Sequence, residues 1–512
     1  MRIDTLSITN FRGYKNTINI CFSELTAFVG KNDIGKSSIL EALDIFFSDG
    51  KTPTKIEKAD VNILSAAQGD TDIVISVVFS DLPDRIIVDA TFETTLSDEY
   101  LLNCENKLEI VKRYPNGGSP KVFIKALHPT APNCADLLLK KNSELKKIIH
   151  DEHIECESLT VNSTMRQSIW RHYNNNLGLT EVEIDAAKED AKKIWDKLSS
   201  YLPMYSLFQS DRKSSDGDSE IQDPLKEAVK QILADREIQD KLDQIAEQVK
   251  GKLTEVSSRT LEKLREMDPS VANSLSPEIP ATSSLKWNDV FKNVSITGDN
   301  IPINKRGSGV KRMILLNFFR AESERKAEEG SNTGIIYAIE EPETSQHEAN
   351  QLILIEALKV LSTAQNVQVI LTTHSQTIVK NLEYSNLRLL FEDEAGKHVT
   401  NVQPGQLCYP SLNEVNYIAF EEPTIEYYNE LYGFMEYKGW MDEYKGTQPT
   451  RLYKKIGRGG TVEQHICTAE YIRHQIHHPE NRLNALYTRD ELTSSIISLR
   501  EFITSKQPET EE

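Results

Sequence analysis

The chain has no C-x-x-C pair, no long apolar run and too few basic residues to balance its acids, and each shortage removes a class of protein. Its six cysteines, Cys21, Cys104, Cys134, Cys156, Cys408 and Cys467, are scattered, so neither a zinc site nor a disulfide framework is expected, and reduced thiols in a cytoplasmic chain are. No stretch approaches the ~18 uninterrupted apolar residues of a membrane span. The opening MRIDTLSITNF lacks the basic-then-apolar order of a secretory leader, so a soluble protein with no membrane partner is expected. Lys and Arg number 59 against 78 Asp and Glu, a formal charge of −19. That balance argues against a surface that coats nucleic acid broadly and leaves open only a local basic groove.

What is present reads as an α/β protein of 512 residues, long enough for roughly two to four lobes. RIDTLSITNF, TINICF and ELTAFVG alternate as short strands, the last running into a glycine-rich loop and the apolar helix SSILEALDIFF. DIVISVVF, RIIVDATFE, KLEIVKRY and KVFIKAL follow, with YPNGGSP as a turn. Residues 1–130 are therefore expected to form a β-rich first lobe. From 131 to 290 the pattern turns helical. Apolar residues at Ile238, Leu242, Ile245, Val249, Leu253 and Val256 predict one long helix or a short antiparallel arm, interrupted upstream by the loop SDRKSSDGDSEIQDP. Over 291–400 strand signals return in KNVSITG, GIIYAIEEPE and VQVILTTHS, the last two fit for buried parallel strands that complete a sheet begun at the N-terminus. Residues 401–512 read as a helical C-terminal domain ending in a solvated tail.

GKNDIGKS, Gly30 to Ser37, matches G-x-x-x-x-G-K-[ST] between a strand and a helix, the context in which backbone N–H groups from Gly30, Asn32, Gly35 and Ser38 can wrap phosphates. Lys36 can reach the β/γ-phosphates of ATP and Ser37 can hold Mg²⁺. IIYAIEEPE ends in Glu340, suited to the Mg²⁺ shell, and Glu341, suited to orient or deprotonate the attacking water. Two glutamates after a strand, taken alone, read as a solvated loop; behind a phosphate loop they read as catalytic. His374 follows the strand VQVILTT, where an imidazole can meet the γ-phosphate or the water.

In this order the motifs resemble the ABC-class ATPases of the branch that holds RecF, the SMC proteins and above all the overcoming-lysogenization-defect (OLD) family. SITNFRGY is similar to that family's opening strand, which implies Arg12 near the phosphates or base. EEPETSQHE is similar to EEPE-x-x-LHP with Gln346 and Glu348 in place of Leu and Pro, TTHS matches the histidine switch, and NKRGSGVKR stands where the signature belongs. Two departures are visible: Glu340 stands where many relatives have Asp, and the signature reads RGSGV, with Gly307 in the place of a serine and Ser308 shifted by one. The resemblance implies an ABC-type P-loop ATPase head in which Gly307, Ser308 and Gly309 of one protomer close over ATP held by another. An ATP-sandwiched dimer or higher even oligomer is thus expected. No later strand ends in D-x-D and FEDEAGKH is the only acidic cluster close behind the histidine, so a Toprim nuclease is not expected. The remainder resembles ATPase subunits of anti-phage systems such as Septu, PARIS and the retron-associated ATPases, which control a separate nuclease.

YIRHQIHHPEN in the C-terminal domain reads two ways. Arg473, His474 and His478 have the spacing of HEPN-type ribonucleases, in which an arginine stabilises developing phosphorane charge and a histidine moves a proton. The same text reads as a helix C-terminus, its histidines favoured by the dipole and Pro479 ending the helix, on a face that docks a partner. The acidic balance favours docking.

Overall fold

The computed structural model describes residues 1–48, 54–83, 86–89, 92–209 and 334–506 apart from 345, 395 and 458–459; between 210 and 333 it describes only 233, 238–248, 250–252, 254, 297–298 and 301–302. Contacts divide the chain into two units, Met1–Ser210 with Ser323–Glu512, and Asp211–Glu322.

The first unit holds two six-stranded sheets. One is antiparallel, in the order β2 (Ile18–Cys21), β1 (Arg2–Thr9), β4 (Asp72–Ser80), β7 (Leu108–Pro115), β8 (Lys121–Pro129), β9 (Leu179–Asp185). The short pair β5 (Ile86–Asp89) and β6 (Phe92–Thr94) stands apart from it. Ile73, Ile75, Val77 and Phe79 alternate along β4 and are fully buried, the period-2 pattern of a sheet with one face in the core.

The other sheet runs β10 (Met204–Phe208), β13 (Ile335–Glu340), β14 (Val367–Thr373), β3 (Leu25–Val29), β15 (Leu387–Asp393), β16 (Gly396–Asn401). It is parallel except for β16. Every residue of β3 and β14 is buried, as expected of central strands covered on both faces. Helix α1 (Lys36–Ser48) belongs to a single apolar cluster with both sheets, through Ile39, Leu43 and Phe46 on the helix, Ile8, Ile75 and Ile110 on the antiparallel sheet and Ala338 and Ile370 on the parallel one. Each such side chain contributes about 1.5–3 kcal/mol on burial. Buried Lys112 of β7 donates to the carbonyl of Phe46 at 2.7 Å, meeting one of the carbonyls left open in the last turn of α1. Gln368 of β14 fastens the sheets together, accepting from Ile3 N and donating to the carbonyls of Ile3 and Ser23 at 2.9–3.0 Å.

The helical stretch expected from 131 onward takes a different form. Helix α2 (Ile63–Ala67) lies before this stretch, and within it α3 (Asn142–Asp151), α4 (Asn162–His172) and α5 (Glu189–Tyr201) are present. Leu179–Asp185, however, pairs with β8, and Met204–Phe208 pairs in parallel with β13. These residues build the head rather than an insertion. Both strands lie at sheet edges, where one flank has no partner and the apolar alternation weakens. Arg166 of α4 is 1% exposed and binds Glu99 at 2.8 and 3.1 Å and Asp190 of α5 at 2.5 Å, pinning α4 and α5 to the loop before β7.

In the second unit residues 238–248 are helical, the start of the predicted arm; its continuation at Val249, Leu253 and Val256 lies outside the described residues, as does the whole loop SDRKSSDGDSEIQDP. Strand β11 (Thr297–Gly298) pairs antiparallel with β12 (Ile301–Pro302).

Beyond the second sheet, α6 (Glu348–Ser362) and α7 (Gln376–Lys380) flank β14. The C-terminal region follows with α8 (Leu412–Phe420), α9 (Ile425–Tyr437), α10 (Met441–Thr447), α11 (Thr468–His477) and α12 (Arg489–Lys506). Tyr428, Leu431, Met435, Ile472, Ile496 and Leu499 form a core of its own. The C-terminal region is helical as expected and adds one antiparallel hairpin, β17 (Thr450–Gly457) and β18 (Gly460–Cys467). Its turn chemistry, glycines between two alternating runs, was in the text of GRGG. Among the described residues no helix is long and apolar enough to cross a membrane.

Candidate active site

Strand β3 ends at Val29 in the middle of the parallel sheet and the chain turns through Gly30 to Gly35 into α1. Two positions require glycine. A side chain at Gly30 would stand 2.8 Å from the Leu390 carbonyl of β15, and Gly35 holds φ +114° with Tyr14 Oη 2.7 Å from where its Cβ would be. Tyr14 donates to the Gly35 carbonyl at 3.1 Å, so the opening strand's hairpin supports the loop from below. Lys36 is buried, its ammonium donating to the carbonyls of Gly30 and Lys31 at 2.8 Å each. Burial pulls its pKa below the ordinary value against the opposing pull of Glu341, Glu343, Asp33 and Glu340.

The neighbouring strands bring the acids and the histidine. Ser37 Oγ donates to Glu340 Oε1 at the end of β13. Glu341 takes φ +41°, held there by bonds from its N–H to the Thr372 carbonyl at 3.1 Å and the Thr372 hydroxyl at 3.2 Å. His374 leaves β14 with Nδ1 3.5 Å from Glu341 Oε1 and 3.4 Å from Glu343 Oε1. A polar cleft of about 430 Å³ is lined by Asn32, Asp33, Gly35, Lys36, Ser37 and Ser38 from the loop and by Glu341 and His374 from the strand ends. The phosphate loop and two strand-end motifs more than 300 residues further along the chain thus face one space.

Arg12 does not line the cleft. Its guanidinium is held by Asp60, 2.8 Å from Nε, and by Glu41 on α1, which places it beside the helix that follows the phosphate loop with its charge already paired. The signature residues Gly307, Ser308 and Gly309 lie outside the described residues. Asp33, Thr372 and Glu343 were not singled out from the sequence. Only tertiary contact gives Thr372 and Glu343 their partners, whereas Asp33 lay inside a motif whose variable positions carry no rule.

In the C-terminal region Arg473, His474 and His478 turn to different neighbours. Arg473 lies over the Tyr432 ring at 4.3 Å and pairs with Glu436 at 2.9 Å, both on α9. His474 stacks on Tyr453 of the hairpin, ring centroids 5.0 Å apart, and stands 6.1 Å from His478. His478 closes the helix as its C-cap and meets Glu480 at 3.1 Å. Burial lowers the pKa of His474, with His478 and Lys455 acting in the same direction and Glu470 against it. The arginine and the second histidine do not converge within one chain.

A phosphate loop on a central parallel strand, with a strand-end acid pair and a histidine across the cleft, defines an α/β P-loop ATPase fold, and the chain carries an ATPase domain. Residues 1–379 match the AAA_15 family, AAA ATPase domain, and the chain belongs to that family. It is similar to Endonuclease GajA of Bacillus cereus (strain VD045), 23% identical over 412 residues that cover 79% of this chain and 61% of that protein. The chain therefore spans less than two thirds of that relative's length. Among solved structures it is similar to an SMC head bound to the C-winged helix domain of ScpA, at 15% identity and a TM-score of 0.39 over 78% of this chain and 98% of that one. It is also similar to the SMC head domain from Thermotoga maritima, at 12% identity and a TM-score of 0.31 over 79% and 100%.

Proposed function

We propose that this chain is the ATP-binding and hydrolysing sensor and scaffold subunit of a bacterial anti-phage defence complex, controlling a nuclease effector that its C-terminal domain docks. The supporting observation is the attachment of that domain to the ATP site. Helix α7 begins two residues after His374, and Asn416 of α8 donates to the Gln376 carbonyl at 3.2 Å while Gln376 donates to Glu422 at 2.8 Å. Lys380 pairs with Glu426 of α9, and Lys31 of the phosphate loop pairs with Glu421 at 2.7 Å. A change at the phosphate end of the cleft is thereby carried by packed elements to α8 and α9, the latter braced by Arg473 of α11. The similarity to an endonuclease supports a nuclease context.

Within this reading Lys36 swings from its carbonyl partners to the β/γ-phosphates, and backbone N–H groups of Gly30, Asn32, Gly35, Ser37 and Ser38 bind phosphate oxygens. The contact between Ser37 and Glu340 puts a hydroxyl and a carboxylate together as an Mg²⁺ ion requires; the ion would neutralise phosphate charge. Glu341 orients and deprotonates water, His374 meets the γ-phosphate, and Gly307, Ser308 and Gly309 of a second protomer complete the site. In the test, the chain is co-expressed with its genomic neighbours and a nuclease is sought among co-purifying proteins; a nuclease captured by wild type and lost with Glu422→Arg supports the reading. ATP hydrolysis with no effector bound in any nucleotide state would remove it.

The second reading, an ATP-gated ribonuclease acting through the C-terminal domain, is favoured by one observation: His474 and His478 lie close together beside the hairpin, with Lys455 acting on His474. Cleavage of tRNA by the purified chain, lost in His478→Ala, would establish it.

A further inference from the structure

Glu343 lies two residues beyond Glu341 and has no assigned part in the reaction. It is 3% exposed. One oxygen, Oε1, accepts from the Thr373 hydroxyl at 2.7 Å and from the His374 backbone N–H at 2.9 Å, and stands 3.4 Å from His374 Nδ1. The other, Oε2, is buried and meets no partner among the described residues. It does not line the cleft.

An uncharged acceptor would satisfy the two donors at this position. A carboxylate buried with one oxygen unmatched is the costlier choice, so its charge must serve something nearby. The nearest candidate is the His374 ring, whose Nδ1 it shares with Glu341. A carboxylate 3.4 Å from Nδ1 attracts the imidazole electrostatically, and its bond from the His374 backbone N–H, being charge-assisted, holds geometry more firmly than a neutral one.

We infer that Glu343 is a positioning residue for ATP hydrolysis: it ties the backbone and ring of His374 to the turn that carries Glu341, so that base and histidine meet the γ-phosphate as one rigid unit. This rests on the roles proposed above for Glu341 and His374. It also divides the labour among the glutamates of EEPE: Glu340 toward Ser37, Glu341 toward the cleft, Glu343 behind the histidine.

The test is steady-state ATPase kinetics on the full chain with ATP affinity measured separately. Glu343→Gln keeps size and acceptor but removes charge. It is expected to lower kcat about 10-fold with KM and Kd for ATP unchanged, and Glu343→Ala about 100-fold, the scale at which a displaced catalytic group acts. Combined with His374→Ala, Glu343→Gln is expected to add nothing to the loss that His374→Ala causes alone, because one residue acts through the other. Wild-type kcat in Glu343→Gln overturns the inference, as do losses that multiply in the double variant. A fall in thermal midpoint with equal loss of ATP affinity assigns Glu343 to folding alone and also overturns it. Glu341→Gln run in parallel separates the two readings. Full hydrolysis there removes the catalytic assignment beneath this one, whereas a dead Glu341→Gln beside an unimpaired Glu343→Gln removes only the role of Glu343.

Discussion

Glu341 occupies the left-handed region at φ +41°, where a residue other than glycine is strained by about 1–3 kcal/mol. Two bonds to Thr372 keep it there. Such strain persists where the surroundings over-determine it, and here it aims a carboxylate into the cleft beside Lys36. Glu341→Gln is expected to retain ATP binding and lose at least about 100-fold in hydrolysis, the scale of general-base removal, read by phosphate release against equilibrium nucleotide binding. Lys36→Ala is expected to lose binding itself, because no other ammonium lines the cleft among the described residues. Glu340, Glu341 and His374 were legible in the sequence because each ends or follows a largely apolar, buried strand, so the strand end is easy to place. Glu343 was not, since a buried carboxylate looks like a solvated one until the strand it touches, 30 residues on, is brought beside it.

At the scale of elements the Arg166 cluster carries the clearest consequence. Arg166→Ala leaves Glu99 buried without its cation and Asp190 with Lys193 alone and is expected to destabilise the first unit by about 3–5 kcal/mol, measured by chemical denaturation. Burial pushes the Asp190 carboxyl up, but Arg166, Asn162 and Lys193 outweigh it and hold it below its ordinary value. A depressed carboxylate stabilises the fold above its unfolded pKa, about 4, and that contribution is lost as pH falls through the lower folded value. Wild type should therefore lose stability below about pH 4 more steeply than Asp190→Asn. Central strands were readable by their unbroken apolar runs. Strands β9, β10 and the β17–β18 hairpin were not, because edge strands and exposed ribbons alternate weakly and their helical neighbours dominate the local text.

For the molecule as a whole, the proposed sandwich predicts that Glu341→Gln with ATP shifts the chain to a dimer or larger even assembly, seen by light scattering. Mixing Lys36→Ala with Gly309→Ala protein should restore partial hydrolysis through one intact composite site; no restoration under conditions where the two associate would count against it. If the C-terminal face docks an effector, Arg473→Ala should weaken co-purification and leave ATP hydrolysis intact, since Arg473 braces α9 and lies outside the cleft. The strand that carries the phosphate loop has a consequence for synthesis. Strand β3 is made within the first 29 residues, yet both its neighbours, β14 and β15, lie beyond residue 366. A ribosome must deliver everything from residue 30 to β14 before the loop has walls. A product ending before Val367 would retain Lys36 and Ser37 at the start of α1, behind a strand with neither flank covered, and is expected to bind no ATP and to be prone to pair with other chains. A chain interrupted between β3 and β14 therefore has no walled nucleotide site, which exists only once β14 and β15 have been made.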